Sequence, residues 1–123
     1  MGAGIGSFTN NYKNLPDNIT LSEIDQDNLS FIKKRFDKTN FNFTSELTKN
    51  INDKFDTIMY LNVLEHIEKD KKELEEAFNK LKTNGHLIIL VPAHNKLYSK
   101  FDEAIGHFRR YDLDFFKKNK INN

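Results

Sequence analysis

Short apolar runs alternate with amphipathic stretches along the chain, and this alternation predicts strands separated by helices. The runs at 19–21, 56–61 and 86–91 consist largely of apolar and β-branched residues, as is typical of strands buried on both faces. A period-two pattern at 41–43 predicts a fourth, weaker strand. The order of these elements predicts an α/β fold in which helices cover both faces of a parallel sheet.

Three stretches carry signals for helix termini. Asp27 is predicted to cap one helix, and Asp112 a second one near the end of the chain. Asp70 and Glu73 have the spacing of a capping box, and Asn84 begins an Asn-Gly pair that predicts the end of the helix between them. The apolar positions expected to face the core are Leu29, Ile32 and Phe36 in the first helix, and Leu74, Ala77, Phe78 and Leu81 in the next.

Composition narrows the class of protein. The 123 residues fit a single domain spanning 1–123, and a net charge of +1 with mixed signs disfavours nucleic acid as a partner. The longest apolar run covers only 87–91, so no membrane span is predicted. Without cysteine there is no disulfide or thiolate site, and we expect no metal site. No leader pattern precedes the loop, which makes a cytoplasmic location the default expectation.

A glycine-rich loop at 2–7 is the first candidate for binding chemistry. Glycines allow a tight turn and a close approach of the backbone to a ligand. Glu23 lies about 20 residues further on, at the end of a predicted strand, where an acid can accept hydrogen bonds from ribose hydroxyls. Together they favour a nucleoside-containing cofactor and do not distinguish a nicotinamide dinucleotide from S-adenosylmethionine. Taken alone, the loop is equally well a flexible tail, and Glu23 a solvated acid.

Five blocks in order along the chain resemble the successive motifs of class I S-adenosylmethionine-dependent methyltransferases. The blocks are GAGIGSFT, LSEIDQDNL, FDTIMYLNVLEHIEKD, LKTNGHLIILVPA and FDEAIGHFRRY. The segment 62–67, followed by a helix and an Asn-Gly turn, is the most specific part. This resemblance implies a Rossmann-like fold, S-adenosylmethionine as the cofactor, and methyl transfer to a small-molecule acceptor.

The resemblance also implies a set of cofactor-binding residues. The glycine loop would line the methionine part of the cofactor, Glu23 would hold the ribose and Ile24 would pack on the adenine. Glu46 would accept a hydrogen bond from the adenine amino group, or would be a solvent-exposed loop acid. The complete set is Gly2, Ala3, Gly4 and Gly6 in the loop, Glu23, Ile24 and Glu46 after the next two strands, and Asn62, Val63 and Leu64 beside the methionine.

Several residues are candidates for a general base in methyl transfer. His94, His107 and Tyr111 follow the strand at 86–91 and could take a proton from a hydroxyl or amine acceptor. His66 has a side chain suited to the same role at neutral pH. In the family, however, the Glu-His pair at this position mostly shapes the turn between strand and helix, and we favour that structural role for His66.

Two adjacent arginines raise the question of an anionic acceptor. Arg109 and Arg110, with His107, could bind a carboxylate or phosphate, because guanidinium binds such groups through two parallel hydrogen bonds. Alternatively, these arginines pair with Asp102 and Glu103 within a solvated loop.

The family pattern also leads us to expect a chain truncated at both ends. In the family a strand and an acid precede the glycine loop, whereas Met1 directly precedes Gly2 here. At the other end, the chain stops before the family's final strand pair. We therefore expect the fold to lack its first strand and the C-terminal strand pair, with a complementing N-terminal segment as a partner. The alternatives are a non-catalytic cofactor-binding remnant, half of a split enzyme, or a nicotinamide-dependent oxidoreductase.

Overall fold

The computed structural model describes residues 1–11 and 16–119. The chain divides into two compact units, 1–51 and 52–123. Each unit contains one pair of parallel strands together with its own short helices. In the part of the chain that is described, no helix is both long and apolar enough to cross a membrane.

The first unit is built around a short strand pair and one helix. Leu21 lies opposite Phe43 in the parallel ladder, so the strands predicted at 19–21 and 41–43 are confirmed within one residue. Leu29 and Ile32 on the helix are buried beside Leu21, as their spacing predicts. The elements are α1 Ser7–Asn10, β1 Thr20–Ser22, α2 Gln26–Arg35, β2 Asn42–Thr44 and a 3-10 turn at Thr48–Asn50.

The cap of α2 differs from the prediction. Asp25, and not Asp27, is the N-cap residue, and its side chain accepts a hydrogen bond of 2.8 Å from the backbone nitrogen of Asn28. Both acids have the right chemistry, but a side chain can cap only from the residue that precedes the first helical turn. Asp27 lies inside that turn as an exposed acid.

The second unit contains the longer strand pair. The strands predicted at 56–61 and 86–91 pair in parallel from Thr57, opposite His86, to Leu61, opposite Leu90. The register shifts before Thr57, in the region where Asn84 has a φ of 63°. The elements are β3 Phe55–Leu61, a 3-10 turn at Leu64–His66, α3 Asp70–Asn79, β4 Leu81–Leu90, a 3-10 turn at Asn95–Leu97, α4 Lys100–Ala104 and α5 Leu113–Lys118.

Three of the predicted helix termini in this unit are wrong in detail. Helix α3 ends at Asn79, so Leu81 belongs to β4 and not to the apolar stripe of the helix. Asp70 begins α3 but does not form the predicted capping box: one of its oxygens accepts from the backbone nitrogen of Lys71, and the other is bound by residues from a later loop. Asp112 precedes α5 as predicted, yet its side chain accepts from the backbone nitrogen of Asn95 instead of capping the helix.

Candidate functional site

The glycine loop of the first unit is a tight turn held against the end of β1. Gly2, Gly4 and Gly6 have φ angles of 59°, 52° and 75°, a region that residues with a side chain rarely adopt. Ala3 donates a backbone hydrogen bond of 2.9 Å to the carbonyl of Ser22 and accepts one of 2.9 Å from Gly6. The loop therefore has a defined conformation in this unit, and the alternative of a flexible tail is not what the structure shows.

Gly6 is constrained by space as well as by its φ angle. A Cβ atom at this position would lie 2.6 Å from Cε2 of Phe36 and 3.4 Å from Cγ2 of Ile32. At Gly4 a Cβ atom would meet nothing within 4 Å. The loop thus packs on the core of the unit at Gly6, whereas the space around Gly4 is open.

The carboxylate of Glu23 joins the end of β1 to the glycine loop. One of its oxygens accepts a hydrogen bond of 2.6 Å from the backbone nitrogen of Gly4, and the other accepts one of 3.0 Å from that of Asp25. Glu23 is buried, which rules out the alternative of a solvated acid. An ionised carboxylate has about four acceptor positions, so two bonds leave room for further donors. The adjacent Ile24 is 64% exposed and presents an apolar surface beside this carboxylate.

Glu46 follows β2 as an exposed acid. Its side chain accepts a hydrogen bond of 3.1 Å from the amide of Asn50, and its backbone nitrogen donates to the hydroxyl of Thr44. The backbone carbonyl of Glu46 accepts from the hydroxyl of Ser22 at 3.4 Å. The carboxylate is held at the surface of the first unit, and both roles predicted for it stay open.

In the second unit, the residues after β3 leave the strand through a left-handed turn. Asn62 is exposed with a φ of 54°, a conformation that asparagine tolerates better than most residues. Its backbone nitrogen donates 2.8 Å to the carbonyl of Leu90. Val63 is partly buried, whereas Leu64 is fully buried in a core cluster with Leu74. The side chain of Leu64 therefore serves the core and does not form an open wall for a ligand.

Tyr111 is a buried hydrogen-bond donor and not an accessible base. Its hydroxyl lies 3.0 Å from the carboxylate of Asp70 and 3.1 Å from the carbonyl of Leu64. Burial, together with the negative charge of Asp70, raises the pKa of Tyr111 well above its usual range. Arg109 pairs with the same carboxylate at 2.5 Å and donates to the carbonyl of Glu68 at 2.8 Å. The three side chains tie the last described loop to the start of α3.

Asp102 organises the loop that contains the remaining candidates. Its buried carboxylate accepts hydrogen bonds from Ser99, from Nδ1 of His107 at 3.1 Å and from Nε of Arg110 at 2.8 Å. The hydrogen bond from Arg110 and those from Ser99 and His107 hold the pKa of Asp102 well below its usual range. Asp102 and Ser99 also form the capping box of α4. The two residues have the same three-residue spacing as Asp70 and Glu73, for which a capping box was predicted.

The arginine charges are compensated within the second unit. Arg110 pairs with Asp102, which is one of the two acids of the solvated-loop alternative, while Arg109 pairs with Asp70, which was not predicted. His94 is exposed with a φ of 61°, and its backbone nitrogen donates to the carbonyl of Tyr111. Among the base candidates, His94 and His107 therefore differ: the first faces solvent, and the second is held by a carboxylate.

Comparisons with known proteins agree with this architecture. A family model described as a methyltransferase domain matches residues 1–87. The solved structure of an S-adenosylmethionine-dependent methyltransferase from Clostridium acetobutylicum is 26% identical, with a TM-score of 0.65 over 78% of this chain and 42% of that one. A Bacillus halodurans protein and the YcgJ protein of Bacillus subtilis are 14% and 17% identical.

The two Bacillus structures have the same fold over almost the whole chain. Both align with a TM-score of 0.77 over 96% of this chain, and with 57% and 56% of their own chains respectively. The chain thus spans less than two thirds of the length of these structures. A comparison with curated protein sequences finds no significant match.

Proposed function

This chain belongs to the class I S-adenosylmethionine-dependent methyltransferase family, and we propose that it binds S-adenosylmethionine and takes part in transferring the cofactor's methyl group to an acceptor. The observation that supports cofactor binding most directly is the carboxylate of Glu23, fixed beside the glycine loop by two backbone hydrogen bonds. The family assignment argues against the nicotinamide-dependent alternative, which rested on the loop and Glu23 alone.

We propose that Glu23 accepts the ribose hydroxyls. Its carboxylate is already oriented by Gly4 and Asp25, so binding does not have to order a mobile side chain. The exposed face of Ile24 supplies an apolar surface for the adenine ring beside the ribose. In the second unit, Asn62 and Val63 stay candidates for contacts with the methionine part.

The reaction that we propose is a direct displacement at the sulfonium methyl carbon. S-adenosylmethionine, held by Glu23 beside the glycine loop, would supply an electrophilic methyl group, and S-adenosylhomocysteine would be the leaving group. The acceptor then loses a proton to solvent or to a base. Such a reaction depends mainly on holding the two partners in line. Of the base candidates, His94 and His107 remain, whereas the raised pKa and burial of Tyr111 remove it.

A small molecule is the acceptor class that we propose. The net charge of +1 lacks the basic surface expected of a protein that grips nucleic acid. Arg109, Arg110 and His107 were the predicted acceptor contacts, but each is engaged by an internal carboxylate. This engagement favours, as a second candidate, cofactor binding without transfer, which a binding assay paired with a methyl-transfer assay would reveal.

Replacing Glu23 by glutamine is expected to weaken S-adenosylmethionine binding by about 1–3 kcal/mol, since a charged acceptor of the ribose hydroxyls is lost. Isothermal titration calorimetry measures the change, and a thermal melt of each variant shows whether the glycine loop is still in place. Asp27→Asn is the matched control, because Asp27 is an exposed acid of the same unit without a capping role. Unchanged affinity in a folded Glu23→Gln protein would remove Glu23 from the site.

A further inference from the structure

Three side chains of the second unit bring potential metal ligands together outside the proposed cofactor contacts. One ligand atom each from Glu65, His66 and His107 lies within 4.8 Å of the other two. Glu65 and His66 belong to the 3-10 turn after β3, and His107 comes from the loop after α4. A backbone hydrogen bond of 2.8 Å from Phe108 to the carbonyl of Glu65 holds these two segments together.

Both histidines have the protonation pattern of metal ligands. Nδ1 of His107 lies 3.1 Å from the carboxylate of Asp102, and Nδ1 of His66 lies 3.1 Å from the carbonyl of Gly106. An ionised carboxylate and a backbone carbonyl can only accept, so each Nδ1 carries the hydrogen. In a neutral ring, the lone pair is then on Nε2. Metal-bound histidines almost always donate their other nitrogen to a carboxylate or carbonyl in this way.

The carboxylate of Glu65 is an independent observation that points to a cation ligand. Glu65 is 1% exposed, and within the described residues neither of its side-chain oxygens has a hydrogen-bond partner. The nearest candidate is Nε2 of His107 at 4.0 Å, which is beyond hydrogen-bond range. A buried carboxylate without a partner is strongly unfavourable. A cation between the Glu65 oxygen and the histidine lone pair would satisfy both groups at once.

We propose that Glu65, His66 and His107 bind one divalent first-row transition-metal ion, with Zn²⁺ the best match. Two imidazoles and one carboxylate form a ligand set that zinc accepts, and three protein ligands leave one coordination position open. His66 is exposed, so solvent can reach that position. Ligand atoms about 2.1 Å from a tetrahedral ion lie about 3.4 Å apart, so side-chain rotations that move the ligand atoms by about 1 Å would close the cluster around an ion.

Asp102 is a positioning residue for this site. It holds the Nδ1 hydrogen of His107 and thereby directs Nε2 toward Glu65. The carboxylate is itself held in place, because Arg110 donates to the same oxygen at 2.8 Å and Ser99 donates to the other oxygen. Loss of such a group typically reduces metal affinity by about 10–100-fold.

The test uses the full chain, stripped of metal by chelator and dialysed against Zn²⁺, Co²⁺ or Mg²⁺. We expect one Zn²⁺ per chain, a Co²⁺ visible spectrum that Zn²⁺ displaces, and no stoichiometric Mg²⁺. Glu65→Gln and His107→Gln should each weaken Zn²⁺ binding by more than about 100-fold, and Asp102→Asn by about 10–100-fold. His86→Gln is the matched control, because His86 is an exposed histidine of the same unit outside the cluster.

A melt of the metal-free proteins separates the metal from a simple ion pair between Glu65 and a doubly protonated His107. If the site binds a cation, metal-free Glu65→Gln should be at least as stable as the unmodified chain, because the substitution removes the unpartnered negative charge of Glu65. Destabilisation of metal-free Glu65→Gln would indicate the ion pair and overturn the proposal. So would the absence of stoichiometric Zn²⁺ binding, or binding that survives both Glu65→Gln and His107→Gln.

Discussion

Replacing Gly6 by alanine is expected to destabilise the first unit by about 2–5 kcal/mol. A φ of 75° is unfavourable for a residue with a Cβ atom by about 1–2 kcal/mol. The new methyl group would also lie 2.6 Å from the ring of Phe36, and overpacking of this kind typically costs about 1–3 kcal/mol. That ring also packs on Phe41, with 5.3 Å between ring centroids, so moving it away would disturb this contact. Urea unfolding followed by circular dichroism measures the loss.

Gly4→Ala is the control that isolates the steric part of this effect. Gly4 also has a positive φ, but a Cβ atom there meets nothing within 4 Å. We therefore expect only the conformational part, about 1–2 kcal/mol. Shortening the neighbour in a Gly6→Ala, Phe36→Leu double variant should make the two losses less than additive. Equal destabilisation by the two glycine substitutions would contradict the contact between Gly6 and the core.

Replacing Asp70 by alanine is expected to destabilise the second unit by about 3–5 kcal/mol. Asp70 is buried, and its carboxylate both pairs with Arg109 and accepts the hydroxyl of Tyr111. Removing the carboxylate leaves the charge of Arg109 unbalanced and leaves the Tyr111 hydroxyl only the carbonyl of Leu64 as an acceptor. Deleting one partner of a buried ion pair in this way is strongly destabilising. Thermal or urea unfolding measures the change.

Two comparison variants show which part of Asp70 matters. Asp70→Asn keeps an acceptor for Tyr111 and loses only the charge, so its effect should be intermediate. Asp56→Ala removes the acid of an exposed ion pair with Lys82, and pairs of this kind contribute little to stability. A loss for Asp56→Ala as large as that for Asp70→Ala would show that burial is not what makes the Asp70 pair important.

Most of the secondary structure could be predicted because local patterns determine it. The apolar runs at 56–61 and 86–91 are typical of strands buried in a parallel sheet. In the structure these two strands pair with each other in parallel. The cap of α2 was misassigned because Asp25 and Asp27 have the same chemistry, and only the entry of the chain into the helix distinguishes them. The end of α3 was placed too late because Leu81 continues the apolar spacing of the helix although it lies in β4.

The polar contacts of the second unit could not be predicted from the sequence, because they join residues that lie far apart along the chain. Asp70 and Arg109 are 39 positions apart, and nothing in the spacing indicates that a late loop reaches back to the start of α3. The same loop brings His107 to Glu65, so the ligand cluster appears only in three dimensions. Asp102 did carry a local signal, since Ser99 lies three residues before it at capping-box spacing.

In the described part of the chain, the strand pair of the second unit leaves one edge of β4 open, which bears on how the protein behaves at high concentration. Among the described residues β4 has β3 as its only strand neighbour. On β4, Ile88 and Leu90 are 45% and 47% exposed. A row of open amides and carbonyls flanked by apolar side chains is a template for strands of other molecules. We therefore expect concentrated solutions to form β-rich aggregates. Ile88→Lys, which places a charge beside that edge, should delay their formation.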